Sequence, residues 1–80
     1  MKKQIIFYSQ GLRYEVELSA AKTVLVGATE KAQVYLPQQE SPIQLKLDGD
    51  KIFYQYENEA GLLKDGLRLG EVVFYLREGE

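Results

Sequence analysis

Few side chains in this sequence could take part in chemistry. The 80 residues include no histidine and no cysteine, which leaves no basis for Ser/His/Asp or Cys/His catalysis and removes the usual nitrogen and sulfur ligands of zinc. Paired carboxylates remain, Asp48 with Asp50 and Glu57 with Glu59. A calcium ion takes about 6–8 oxygen ligands, so we interpret Asp48 and Asp50 as a hairpin tip and not as half of a calcium site. We interpret Glu57 and Glu59 as part of a polar loop and not as an acid/base pair. We expect no catalysis, no metal and no cofactor.

Recognition of nucleic acid also has little support in the composition. The phosphate-binding motifs G-x-x-x-x-G-K-[ST] and G-x-G-x-x-G are absent from the sequence. Ten basic and twelve acidic residues give a formal net charge of −2, a poor basis for binding a phosphate backbone. Six tyrosines and three phenylalanines leave one alternative, a small β-barrel that binds single-stranded nucleic acid by stacking its bases. Since we place most tyrosines on inward faces of strands, we expect no nucleic-acid partner.

An alternation of apolar and polar residues runs through most of the chain. In RYEVELS, Tyr14, Val16 and Leu18 alternate with charged residues, a pattern typical of strands with one buried face. Asp48-Gly49 lies between two such runs and predicts a tight hairpin, because glycine reaches positive φ cheaply. A chain of this length makes one domain, 1–80. We predict an all-β fold with strands near residues 3–8, 12–18, 23–26, 34–36, 43–47, 51–57, 62–63, 67–69 and 71–77.

Two apolar features depart from simple alternation. The final run EVVFYLR is apolar on both faces, so we expect it to pair with the first strand and to be covered on each side. Phe53 falls in the polar register of its strand. We interpret Phe53 as covered by a loop or by the opposite sheet, and the alternative is an exposed surface that binds protein.

A second fold class stays open, the ubiquitin-like α+β fold known as the β-grasp. It requires a helix from Ala20 to Gln33. That segment contains Val24, Val26 and Gly27, which are mediocre or poor helix formers, so the all-β fold is favoured. On this alternative the chain would be a small ubiquitin-like regulator, although its C-terminal sequence Arg-Glu-Gly-Glu lacks the Gly-Gly used in conjugation.

Short motifs at suitable spacing cover nearly the whole chain. They are VLVG at 24–27, QVYL at 33–36, SPIQ at 41–44, AG at 60–61, DG at 65–66 and LRLGE at 67–71. In this frame the chain resembles the forkhead-associated (FHA) domain. The resemblance implies a β-sandwich of about nine to eleven short strands, whose loops at one end usually bind phosphothreonine peptides.

The residues that would contact such a peptide differ from the FHA pattern. Ala28 replaces the arginine that would bind phosphate, and Pro42 replaces the second arginine. Gln44 replaces the histidine, and Ala60 replaces the asparagine that would hold the peptide backbone. Ser41 is kept, but one hydroxyl does not offset the desolvation of a phosphate with nearly two negative charges. The resemblance therefore implies degenerate recognition loops without phosphothreonine binding, formed around Gly27, Ala28, Ser41, Pro42, Gln44, Ala60 and Gly61.

The stretch KKQIIFYSQGLRYEVELSAAKTVLVGATEKAQVYL resembles the N-terminus of the EssC/YukB-type membrane ATPases of type VII (ESX-like) secretion in Gram-positive bacteria. That resemblance implies a first FHA-like domain excised from a longer protein, with transmembrane helices and FtsK/SpoIIIE-type motor domains beyond it. We expect a non-catalytic domain at the cytoplasmic face of the cell membrane, with no direct membrane insertion of its own. It would bind protein partners of the secretion machinery and support assembly of the complex. The alternative is a stand-alone ubiquitin-like regulator of type VII secretion.

Overall fold

The computed structural model describes residues 2–20 and 22–77, and this part of the chain is all-β. Its nine strands are β1 (Lys2–Ser9), β2 (Leu12–Ser19), β3 (Thr23–Gly27), β4 (Val34–Tyr35), β5 (Ile43–Asp48), β6 (Lys51–Tyr56), β7 (Glu59–Leu62), β8 (Leu67–Leu69) and β9 (Val72–Arg77). The predicted all-β class is confirmed. No helix in the described residues could cross a membrane, since none there combines the necessary length and apolar character.

The strands form two sheets. Sheet A has the order β2-β1-β9-β8, and sheet B has the order β4-β3-β5-β6-β7. All neighbouring strands are antiparallel except β3 and β4, which are parallel. The predicted pairing of the first and last strands is confirmed, with Phe7 opposite Phe74.

One apolar core lies between the sheets. Strand β5 shows how the alternation builds it, because Ile43, Leu45 and Leu47 are buried while the residues between them are exposed. Sheet A contributes Phe7 and Phe74, whose ring centroids are 5.4 Å apart. Burial of side chains of this size contributes roughly 1.5–3 kcal/mol each to folding. The buried apolar residues are Ile5, Phe7, Leu18, Val24, Val26, Leu36, Ile43, Leu45, Leu47, Ile52, Leu63, Leu69, Val72 and Phe74.

Most predicted strands agree with the structure, but the position of β7 is wrong. The prediction was 62–63, whereas β7 spans Glu59–Leu62 and pairs with β6. The chain reverses at Glu57 and Asn58, where Glu57 adopts a positive φ of 53° without being glycine. The interpretation of a polar loop therefore holds for Glu57 and is wrong for Glu59, which lies in a strand.

The segment that the β-grasp fold would make helical has a different structure. Residues 23–27 form β3, and residues 28–33 form a loop with a single turn closed by the amide of Ala32, which donates to the carbonyl of Thr29. The β-grasp alternative is therefore wrong. Val24 and Val26 suit a strand because β-branched side chains lose freedom in a helix.

Several aromatic side chains lie outside the core. The expectation that most tyrosines face inward is wrong, because Tyr8, Tyr35 and Tyr75 are exposed, while the other three pack partly against the core. Strand β9 is covered on the core side alone, since Tyr75 on its outer face is 39% exposed. The interpretation of Phe53 as covered is also wrong, because Phe53 is 40% exposed beside the exposed Leu62.

Candidate functional site

Five connecting segments lie at one end of the two sheets: the turn 10–11, the loop 28–33, the loop 36–42, the turn 57–58 and the turn 70–71. Between them lies a shallow, open hollow of about 290 Å³, which we call the loop-end depression. Polar and charged groups predominate in its lining, which consists of Gln38, Gln39, Glu40, Ser41, Tyr56, Glu57, Gly70 and Glu71.

Gln39 is the structural centre of this end. Its side chain is only 2% exposed, and its Nε2 donates to the carbonyl of Ser41 at 2.9 Å. Its Oε1 accepts from the amide of Glu71, also at 2.9 Å. Its backbone carbonyl accepts from the amide of Ala28 at 3.0 Å. One residue therefore connects the ends of β3 and β8 to the loop before β5.

Sequence reasoning missed Gln39. It belongs to the run Gln38-Gln39-Glu40, which has the composition of an ordinary solvent-exposed loop, and glutamine is mostly exposed in proteins. Burial of a primary amide is tolerated here because both of its ends are hydrogen-bonded. No local signal distinguishes Gln39 from its neighbours.

Gly27 lies where this loop crosses the end of β3. A Cβ atom at Gly27 would lie 2.9 Å from the Cα of Pro42 and 3.3 Å from the carbonyl oxygen of Gln39. The nearest obstacle is backbone, so a larger residue would displace the loop. In addition, the carbonyl of Gly27 accepts from the amide of Leu36 at 2.9 Å. Close packing of the loop accounts for this glycine without any ligand.

Gly70 is required for a related reason at the β8–β9 turn. Its φ of 61° lies in the left-handed region that favours glycine. A Cβ atom there would lie 2.7 Å from Nε2 of Gln39 and 2.8 Å from the hydroxyl of Tyr56. Two of the glycines that carry the FHA-like frame therefore maintain the packing of the loop end.

Ser41 is half-buried and its hydroxyl donates to Oε2 of Glu57 at 3.0 Å. The two residues come from different segments, 16 positions apart, and they meet because β5 and β6 pair antiparallel with Ile43 opposite Tyr56. The sequence predicts Glu57 at the end of a strand and in a polar loop, with no contact to Ser41. The structure makes it the hydrogen-bond acceptor for Ser41.

The expected recognition residues fall into two groups in space. Gly27, Ala28, Ser41 and Pro42 lie together at the loop end, through the contacts of Gly27 with Pro42 and of Ala28 with Gln39. Pro42 and Ala28 are exposed, and neither belongs to the residues that line the depression.

The remaining expected residues lie on sheet B. Gln44 is opposite Gln55, and Gln55 is opposite Ala60, so the three share the outer face of the sheet and are exposed there. Gly61 is opposite Tyr54, and a Cβ atom there would lie 3.5 Å from the tyrosine ring. The structure therefore separates these residues from the loop-end depression.

Acidic side chains dominate the charge of the depression. Glu40, Glu57 and Glu71 belong to its lining, and within residues 2–20 and 22–77 no lysine or arginine does. Arg68 lies beside it, where its Nε donates to the carbonyl of Gly70 at 3.4 Å. Among the described residues, no group of three His, Cys, Asp or Glu side chains could hold a metal ion. Asp48 is the last residue of β5 and Asp50 lies in the turn that follows it, at the opposite end of β6.

Comparison of the chain with protein-family models, with curated proteins and with solved structures gives no match. What can be said of its function therefore depends on its own residues and geometry, together with the FHA-like motifs of the sequence.

Proposed function

We propose that this chain is a non-catalytic protein-interaction domain of degenerate FHA-like type, which binds folded protein partners without recognising phosphothreonine. One observation supports this most strongly. Among the residues that the structure describes, the loop-end depression is lined by the carboxylates of Glu40, Glu57 and Glu71 and by no lysine or arginine. A ligand for such a surface is neutral or basic protein, not phosphate.

Electrostatics argue against a phosphopeptide in particular. Phosphothreonine carries about −1.5 to −2 charges at neutral pH, and its binding sites provide cationic groups that form charge-assisted hydrogen bonds. At the loop end, the hydroxyl of Ser41 already donates to Glu57, and a phosphate there would approach three glutamates. The same charge balance disfavours a single-stranded nucleic acid, which requires a basic groove.

The FHA-like assignment is part of the proposal. The part of the chain that the structure describes, with nine strands in two sheets, has the architecture expected of a small FHA-like sandwich. Gly27 and Gly70 belong to the motifs of the family frame, and both are tightly packed against the loop 36–42. This supports a scaffold that keeps the loop arrangement of the family while its contact residues differ.

The cellular setting is proposed from the resemblance of residues 2–36 to type VII secretion ATPases of the EssC/YukB type. On this proposal the domain lies at the cytoplasmic face of the membrane, within a membrane-anchored protein, and contributes to assembly of the secretion complex. Motor and membrane functions belong to other parts of that longer protein.

The proposal is tested by titrating the domain with matched pools of phosphothreonine and unmodified threonine peptides, followed by fluorescence anisotropy. We expect the phosphorylated pool to bind less than tenfold more tightly, a difference below about 1.4 kcal/mol. A preference of tenfold or more would overturn the proposal, because it would require a cationic phosphate site.

The positive side of the proposal needs a matched pair of variants. Glu40→Lys and Glu71→Lys change the charge of the depression, whereas Asp50→Lys makes the same change at the hairpin tip on the opposite end. We expect capture of secretion-machinery proteins to survive phosphatase treatment, to fall with the first two variants and to be unchanged with the third. Equal binding by all three variants would show that the loop end is not the working surface.

A further inference from the structure

The edges of the two sheets differ greatly in length. Sheet B ends in β4 and β7, which have two and four residues, and one edge of sheet A is β8 with three residues. The other edge of sheet A is β2 with eight residues. Short edges discourage pairing with other chains, whereas a long regular edge is a ready template for it.

Strand β2 lacks a proline and a β-bulge, two features that usually prevent such pairing, although its outward residues are charged. Its pairing with β1 continues without interruption from Ser9 opposite Leu12 to Lys2 opposite Ser19. A two-residue turn joins the strands, so Leu12 and the alternate residues after it exchange backbone hydrogen bonds with β1. The backbone groups of Arg13, Glu15 and Glu17 are consequently directed away from β1.

The side chains of β2 are complementary to those of a second, antiparallel β2. With a two-fold axis at Tyr14, Arg13 lies opposite Glu15 of the second copy, and Glu15 lies opposite Arg13 of that copy. Both residues are on the outer face of sheet A, where they already form an ion pair of 2.9 Å within the chain. Opposite charges directly across two strands are stabilising.

Neighbouring registers are less favourable. An axis at Glu15 would pair Arg13 with Glu17 of the second copy, but it would also place Glu15 opposite its own copy, and like charges directly opposite each other are destabilising. A shift by one residue would place outward-facing residues opposite inward-facing ones. The pairing of opposite charges and the matching of inward-facing with inward-facing residues therefore both favour the axis at Tyr14.

The inward face of β2 agrees with the same register. Leu12 is 59% exposed, which is unusual for a leucine in a strand whose other inward residues pack toward the core. About the axis at Tyr14, Leu12 lies opposite Val16 of the second copy, and the two Tyr14 side chains are adjacent. The second copy would therefore cover Leu12 and extend the apolar face.

We propose that β2 is a homodimerisation edge, at which two copies join their four-stranded sheets into one continuous antiparallel sheet through residues 12–16. The contact is isologous, so it closes after two copies and does not lead to a fibre. In each pair across the axis, Arg13 of one copy and Glu15 of the other exchange backbone hydrogen bonds, and their side chains carry opposite charges. This surface is distinct from the loop end, and the proposal does not depend on the function proposed above.

The test uses two charge-reversal variants. Two copies of the same variant repel each other across the axis, whereas a copy of one variant attracts a copy of the other. Arg13→Glu places glutamates opposite each other in its own dimer, and Glu15→Arg places arginines opposite each other. When the two variants are mixed, every pair across the axis again has opposite charges. Sedimentation velocity over a concentration series and native mass spectrometry of the mixture measure the outcome.

We expect reversible dimers of the unchanged protein, at least tenfold weaker dimers of either variant, and heterodimers in the mixture. Recovery in the mixture also shows that both variants are folded. The proposal is overturned if the unchanged protein remains monomeric at millimolar concentration, if the single variants dimerise as well as it does, or if the mixture forms no heterodimer.

Discussion

The loop end and the β2 edge are organised by different kinds of interaction. At the loop end, one buried glutamine connects segments as far as 32 positions apart through its side-chain amide. Along β2, the backbone ladder with β1 supplies the order, and the ion pair between Arg13 and Glu15 has side chains that are 49% and 39% exposed. The loop end should therefore be sensitive to single substitutions, whereas the β2 edge should tolerate them within a monomer. Irregular segments depend on side chains for the hydrogen bonds that a strand receives from its neighbour.

The largest loss of stability is expected from a substitution of Gln39. Gln39→Ala removes the acceptor for the amide of Glu71 and the donor to the carbonyl of Ser41. We expect a loss of about 2–4 kcal/mol in the free energy of unfolding, because two partly buried backbone groups lose their partners. Chemical denaturation measures it.

The matched control is Gln44→Ala, which truncates an exposed glutamine on the outer face of sheet B. This change should alter the free energy of unfolding by less than about 0.5 kcal/mol. If Gln39→Ala were as mild as Gln44→Ala, the amide of Gln39 would not hold the loop end together.

A smaller effect is expected from a comparison of two glycines. Gly70 and Gly49 both have positive φ, 61° and 66°, so an alanine carries a similar backbone cost of about 1–2 kcal/mol at either position. At Gly49 no atom lies within 4 Å of the added Cβ, whereas at Gly70 it would meet Gln39 and Tyr56 at 2.7–2.8 Å.

We expect Gly70→Ala to be more destabilising than Gly49→Ala by about 1–3 kcal/mol, the usual cost of overpacking. Thermal and chemical denaturation of both variants in parallel measure the difference. Equal losses would mean that the loop end yields to the extra methyl group, and that its packing is looser than the contacts of Gly70 indicate.

The smallest change in stability is expected from a substitution at the β2 edge. Arg13→Ala removes an ion pair between two largely exposed side chains, and such pairs contribute about 0.2–1 kcal/mol. At a concentration where the chain is monomeric, we expect the free energy of unfolding to change by no more than about 1 kcal/mol. A larger loss would show that Arg13 stabilises the monomer itself, so that the β2 edge resembles the loop end after all.

The parts of the fold that could be predicted follow from local patterns. Alternation in IQLKL places Ile43, Leu45 and Leu47 in the core, and Asp48-Gly49 marks a hairpin that the structure contains. The strand that was misplaced, β7, illustrates the limit. Its first residues, Glu59, Ala60 and Gly61, have little preference for strands, and pairing with β6 outweighs that low propensity.

The candidate site was less predictable than the strands. Motif spacing identified Gly27 and Ser41, both of which lie at the loop end. It also grouped Gln44 and Ala60 with them, whereas these two share the outer face of sheet B. A motif orders residues along the chain, but the face on which a residue lies depends on its register in the sheet.

By itself, the sequence determined the all-β class, the positions of most strands and turns, and the absence of histidine and cysteine chemistry. These properties depend on residue type and on spacings of a few positions, which are local. Only the tertiary structure decided that Gln39 is buried, that Ser41 meets Glu57 and that β2 lies at an edge. Each of these depends on which distant strands become neighbours, and that choice is made by burial of the whole core at once.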